Sequence, residues 1–180
     1  ARGEGGIEPD SAGGGVFAIG AVWLNRSRVY ANTADGSDSS GGGIFAFGDL
    51  HLDHALVTNN RAVGGSGGGA ISQGLYAQYS EISGNTANRY GGLSANGQIS
   101  VRRTTIAKNS ATDVYGGAFL GADSGESIEV VDSTISGNTA DVASGLVMGG
   151  ALADSKLIAN STVAFNHEST TTSSQCAGAL

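Results

Sequence analysis

Seven side chains recur at matching places along the chain and could together do chemistry: Trp23, Asn25, His51, Asp53, Tyr76, Gln78 and Arg102. They fall two residues apart in short alternating runs, as Trp23/Asn25, His51/Asp53, Tyr76/Gln78 and Ser100/Arg102. In a strand, residues two apart share a face. In Leu50-His51-Leu52-Asp53 the leucines then point one way, and His51 and Asp53 the other. Aromatic rings beside amides, a carboxylate and a guanidinium are groups that a sugar ring can use. The plainer expectation is a set of exposed rings that stack to cover a sheet.

Other chemistries find less support. A metal or acid–base cluster of His51, Asp53 and His54 is disfavoured, because His54 should lie on the other side of the strand or in a turn. Arg102-Arg103 with Lys108 is the one basic knot, and no histidine or tyrosine is expected beside Arg102 and Lys108 as a base. Asp35, Asp113, Asp123, Glu126 and Asp141 fall mostly in separate loops, so no carboxylate pair of the kind glycoside hydrolysis needs is expected. No catalytic residue is assigned. The loops Asp35-Gly36-Ser37-Asp38 and Gly64-Gly65-Ser66-Gly67-Gly68 lack the regular spacing of calcium-binding nonapeptides, so no cofactor is expected and calcium would be adventitious. No Thr-x-Thr column is expected either, which disfavours an ice-binding face.

The elements that must position these residues are read from a repeat. An aliphatic residue, two further residues and an asparagine recur at Val29/Asn32, Val57/Asn60, Ile82/Asn85, Ile106/Asn109, Ile135/Asn138 and Val163/Asn166. The asparagines are 28, 25, 24, 29 and 28 residues apart. Glycine pairs end at Gly15, Gly43, Gly69, Gly92, Gly117 and Gly150, and the asparagine follows by 17, 17, 16, 17, 21 and 16 residues. One unit carries a short insertion around Asp123-Ser124-Gly125. Such a period means stacked units that bury their apolar faces against one another.

Each unit reads as three short strands, and no apolar 3.6-residue periodicity persists for three turns. The expected fold is all-β: a right-handed parallel β-helix solenoid of about six coils plus a partial seventh. Residues 1–180 form a single β-helix domain, a fragment of a longer protein, with coils starting near 14, 42, 68, 91, 116, 149 and 177. The six asparagines Asn32, Asn60, Asn85, Asn109, Asn138 and Asn166 should form a hydrogen-bonded ladder at a corner, where Asn also tolerates a left-handed backbone. The glycine pairs should serve the opposite corner, where Cβ atoms would crowd. The segment after each asparagine varies in length and should be exposed.

Composition narrows the partners. Glycine is abundant (31 residues) with one proline, and only 14% of residues are charged. A net charge of −7 disfavours nucleic acid and anionic lipid. Cys176 is alone, so no internal disulfide framework exists. No apolar run approaches the roughly 18 residues that span a bilayer.

The alternation of Gly149-Gly150-Ala151-Leu152 or Gly68-Gly69-Ala70-Ile71 with aliphatic-x-x-Asn resembles the polymorphic outer-membrane protein repeats. More broadly it resembles bacterial pectin-lyase-like β-helix surface proteins, including autotransporter passengers. Val or Ile stands where the chlamydial repeats usually have Phe, which favours the broad class. The resemblance implies an extracellular or cell-surface location and a structural or adhesive module without its own catalysis. The alternatives are a carbohydrate-binding module or polysaccharide lyase or hydrolase of this fold, and a subunit of an extracellular filament or surface assembly. The implied partners are a glycan, a host or neighbouring surface protein, and flanking coils of the same chain or of neighbouring subunits.

Overall fold

The computed structural model describes residues 13–150, 153–169 and the strand Cys176–Gly178. Every regular element among them is a short strand, and all strands pair in parallel with the equivalent strand one coil away. Four sheets result, one of seven strands and three of six. The chain is therefore a parallel β-solenoid of six coils with one strand of a seventh, as the repeat predicts.

Each coil has four strands, not three. In the second coil they are Ile44–Ala46, Leu50–Asp53, Leu56–Thr58 and Arg61–Val63. The fourth strand begins directly after the asparagine, in the segment expected to be exposed. In the first five coils its second residue is an alanine that points inward: Ala34, Ala62, Ala87, Ala111 and Ala140 form a buried column, and Glu168 takes the place in the sixth. The loops beyond it are packed in part. Ser39 is fully buried, with its hydroxyl donating to the Val63 carbonyl at 2.6 Å.

The register also corrects the last coils. Leu146 pairs with Ala118, so Ser144-Gly145 takes the place of the glycine pair, and the sixth coil starts there rather than near 149. Gly149-Gly150 belongs instead to a loop stacked on the 121–126 insertion: Gly125 N–H donates to Asp154 Oδ1 at 2.9 Å. The insertion is thus a feature of two neighbouring coils. Cys176 pairs with Leu146, which starts the seventh coil's strand one residue before Ala177.

Inward positions stack into apolar columns. Val29, Val57, Ile82, Ile106, Ile135 and Val163 align in one, as their spacing predicts. Leu50, Leu75, Ile99 and Ile128 form another, fully shielded from solvent.

Beside them runs the asparagine ladder. Asn32, Asn60, Asn85, Asn109 and Asn138 each donate Nδ2–H to the Oδ1 of the next asparagine, at 2.8–3.0 Å. The same Oδ1 accepts the backbone N–H of the preceding coil's asparagine at 2.9–3.1 Å. The second Nδ2 hydrogen goes to an aliphatic residue's carbonyl in the preceding coil, as from Asn109 to Ile82 at 3.0 Å. An interior rung therefore uses its full amide capacity.

Asn166 is the last described rung of the ladder. It is buried, and its Oδ1 accepts the Asn138 side-chain amide at 2.8 Å and the Asn138 backbone N–H at 3.0 Å. Its own Nδ2 donates to the Ile135 carbonyl at 3.1 Å. Among the described residues it donates to no further asparagine, because the described part of the seventh coil is the first strand, which precedes that position in a coil. Val163 beside Asn166 is half-buried where Ile135, one coil inward, is fully buried.

The asparagines are not the left-handed residues. That conformation falls one residue earlier, at Ala31, Asn59, Gly84, Lys108, Gly137 and Phe165. Two further left-handed columns stand at the other turns: Arg26, His54, Tyr79, Arg103, Asp132 and Asn160, and Gly13, Gly41, Gly67, Tyr90, Tyr115 and Ala143. Each coil thus turns three times by the same device.

Nor do the glycine pairs sit away from the asparagines. A Cβ on Gly43, Gly69, Gly92 or Gly117 would lie 2.8–2.9 Å from the Nδ2 of its own coil's asparagine. A Cβ on Gly42 would meet the Arg61 backbone carbonyl carbon at 2.3 Å. The asparagine amide thus packs directly on the second glycine, and the fourth strand on the first position, which is serine in the sixth coil.

Two substitutions test the ladder and the core. Asn109→Ala strands the Asn85 N–H, the Asn85 side-chain amide and the Ile82 carbonyl, so it should lower unfolding free energy by more than about 3 kcal/mol. Ile135→Ala should cost about 2–5 kcal/mol. Asn88→Ala, at an exposed site, should stay within about 0.5 kcal/mol in the same denaturation series.

Candidate binding face on the second sheet

The second strands of successive coils, Val22–Asn25, Leu50–Asp53, Leu75–Gln78 and Ile99–Arg102, pair in strict register. Leu50 and Leu52 are buried, which turns His51 and Asp53 outward by alternation. Trp23, His51, Tyr76 and Ser100 consequently form one outward column, and Asn25, Asp53, Gln78 and Arg102 the other. All seven residues singled out from the sequence meet here. They line a shallow groove floored by Leu24, Leu52 and Ala77.

The rings are stacked coil on coil. Trp23 and His51 have centroids 4.9 Å apart and planes 5° apart; His51 and Tyr76 have 4.7 Å and 5°. The faces are spent on one another. His51 has a ring over each face, and the column offers mainly edges to a ligand. Trp23 and Tyr76 each stack on His51 by one face, and Trp23 is 69% exposed.

The second column is knit by its own hydrogen bonds. Asp53 accepts from Asn25 Nδ2 at 3.1 Å and from Gln78 Nε2 at 3.2 Å. His54 Nδ1 lies 2.7 Å from Asp53 Oδ1, so this carboxylate already meets three donors. His54 sits in the turn, as expected, but contacts Asp53 rather than standing apart from it. Among the described residues no three His, Cys, Asp or Glu side chains gather to hold a metal ion.

The basic knot dissolves into separate pairs. Arg102 Nη2 bonds Glu129 Oε2 at 2.5 Å, and its Nε reaches Ser100 Oγ at 3.3 Å. Arg103 Nε lies 3.6 Å from Asp132 Oδ2, and its guanidinium stands 5.3 Å over the Tyr79 ring. Arg103 also donates to the Tyr79 hydroxyl. Tyr79 thus aligns beside Arg103. Lys108 is in a different turn, across the strand Thr105–Ala107.

Two features escaped the sequence reading. A ladder of hydroxyls follows the first turn, where Ala55, Ser80, Thr104 and Ser133 each donate backbone N–H to the next coil's Ser or Thr oxygen at 3.0–3.4 Å. Its signal is the small residue directly after each of His54, Tyr79, Arg103, Asp132 and Asn160. A short threonine column also exists: Thr105, Thr134 and Thr162 stack on the third sheet.

The ridge beside the groove is the more informative find. Arg26, His54, Tyr79 and Arg103 hold left-handed backbones with φ of 46–50°. Such a conformation disfavours non-glycine residues by about 1–2 kcal/mol. The other two turn columns place glycine at two and three of their six positions; this one places none. Large side chains are kept here against a backbone penalty. His54 and Tyr79 stack at 4.8 Å, so the ridge is itself a second ring column.

Comparison with known proteins finds no family model, no characterised protein and no solved structure to which the chain is measurably similar. No helix among the described residues is long and apolar enough to cross a membrane.

The stacked rings should couple. His51→Ser should lower stability by about 1–2 kcal/mol through loss of two ring contacts. It should also shift the emission of Trp23, the chain's one tryptophan. An unchanged emission spectrum would mean that Trp23 does not rest on His51.

Proposed function

We propose that the chain is a structural and adhesive β-solenoid module of an extracellular or cell-surface protein, with the second sheet and its adjoining ridge as the binding face. What supports this is the concentration of adhesive side-chain types on that face. Trp23, His51, Tyr76, His54, Tyr79, Arg26, Arg102 and Arg103 gather there. Tryptophan, tyrosine and arginine are the residues that dominate binding energies at interfaces. Parallel pairing fixes the coils in register, so these groups are presented on a rigid frame with little ordering left for the moment of binding. The sequence motifs, which resemble those of bacterial surface β-helices, support the location.

One observation favours the enzymatic alternative. Tyr79 and Arg103 bring a phenol and a guanidinium into contact, a pairing that β-elimination on a uronate could use. Against it, Arg103 already faces Asp132, and the Asp53 carboxylate is committed to three donors. The binding reading asks nothing of these groups beyond their contacts.

Two experiments decide. Fluorescent beads carrying the protein should bind target cell surfaces. A Tyr76→Ser, Tyr79→Gly variant should lose that binding while its melting transition stays cooperative. Equal binding by both would remove the assignment of this face. No unsaturated or reducing ends should be released from pectin, polygalacturonate or alginate. Turnover that vanishes in Tyr79→Phe would establish the lyase instead.

A further inference from the structure

Resting on that reading, we infer that the groove takes a neutral, hydroxyl-rich linear glycan lying along the solenoid axis and read by ring edges and amides. The charges along the groove are already balanced within the protein. Asp53 is met by Asn25, Gln78 and His54, and Arg102 by Glu129 and Ser100. A charged ligand would have to break these contacts to gain its own, and a polyanion would also meet a chain of net charge −7. What remains available is neutral. The Trp23 indole N–H, the His51 ring nitrogens and the Tyr76 hydroxyl take no hydrogen bond among the described residues. On the facing column the amide oxygens of Asn25 and Gln78 are likewise uncommitted.

A donor on one wall therefore faces a free amide oxygen on the other at two rungs, Trp23 with Asn25 and Tyr76 with Gln78, set two inter-strand spacings of about 4.8 Å apart. Sugar hydroxyls both donate and accept, so a row of them can bridge the two walls. A polypeptide laid along the same axis fits less well, because its N–H and C=O groups alternate to opposite sides of the strand. His51, with a ring over each face, can meet a sugar only by its edge, while Trp23 and Tyr76 each spend one face on it.

The test uses the whole chain with a panel of neutral oligosaccharides (cello-, xylo-, manno- and chito-series) and three polyanions (polygalacturonate, alginate, heparin). Binding is followed by titration calorimetry and by NMR of the Trp23 indole. At least one neutral series should shift the indole resonance, gain affinity with length up to the span of the rungs, and be insensitive to salt. Tyr76→Phe keeps the ring stack but removes the hydroxyl, and should weaken binding roughly threefold to tenfold. Asn88→Ala, an exposed site on the fourth sheet, should leave the neutral series unchanged. Tighter, salt-sensitive binding of a polyanion that Arg102→Ala abolishes would overturn the neutral class and leave the adhesive face standing. Retained cell-surface binding through this face, with no glycan shifting the indole, would point to a protein partner and overturn the glycan. Loss of both would overturn the face itself.

Discussion

The contact on which the rest of the structure depends is that between the asparagine amide and the glycine backbone of the same coil. The amide points inward and hydrogen-bonds to the coils on either side, so it needs room that only a residue without Cβ leaves. The fourth strand then follows directly after the asparagine and lies on the first glycine of the pair. One requirement thus explains two repeated marks and the nearly constant distance between them. It also makes each coil's registration conditional on its neighbours', because every interior rung donates to the next asparagine and accepts from the preceding one.

Registration in turn produces the surface. A strand offset by one residue would send His51 and Asp53 inward and Leu50 and Leu52 to solvent. The buried leucines therefore hold the outward columns in place, and the outward columns answer with contacts of their own: ring on ring, amide on carboxylate, guanidinium on carboxylate. The three left-handed turns per coil keep the strands short and the faces flat. At two of them the sequence relaxes the backbone with glycine in some coils. At the turn beside the groove it retains Arg26, His54, Tyr79 and Arg103, which is why that edge reads as a site rather than as a hinge.

Much of this could be read from the sequence, because period and alternation report directly on stacking. The aliphatic column, the asparagine ladder and the seven groove residues follow from counting. Three things did not show, each for a physical reason. The fourth strand buries only alanine between polar residues, too weak a pattern to separate from a loop. The sixth coil has Ser144-Gly145 where a glycine pair is expected, and Gly149-Gly150 in a neighbouring loop imitates it. The loss of ring faces to stacking is a matter of orientation, which alternation does not encode: two rings in adjacent coils can lie flat or edge to edge with the same spacing.

The central claim, that the asparagine ladder is a structural spine opened only with the fold, is most directly tested by hydrogen exchange of side-chain amides. Asn60, Asn85, Asn109 and Asn138 are buried and fully bonded, and their Nδ2 hydrogens should exchange only through global unfolding, in step with the backbone amides of Ile82 and Ile106. Asn88 and Asn96, exposed, should exchange at once. Exchange of the four ladder amides as fast as that of Asn88 would contradict the account, since the coils would then be held by their strands alone.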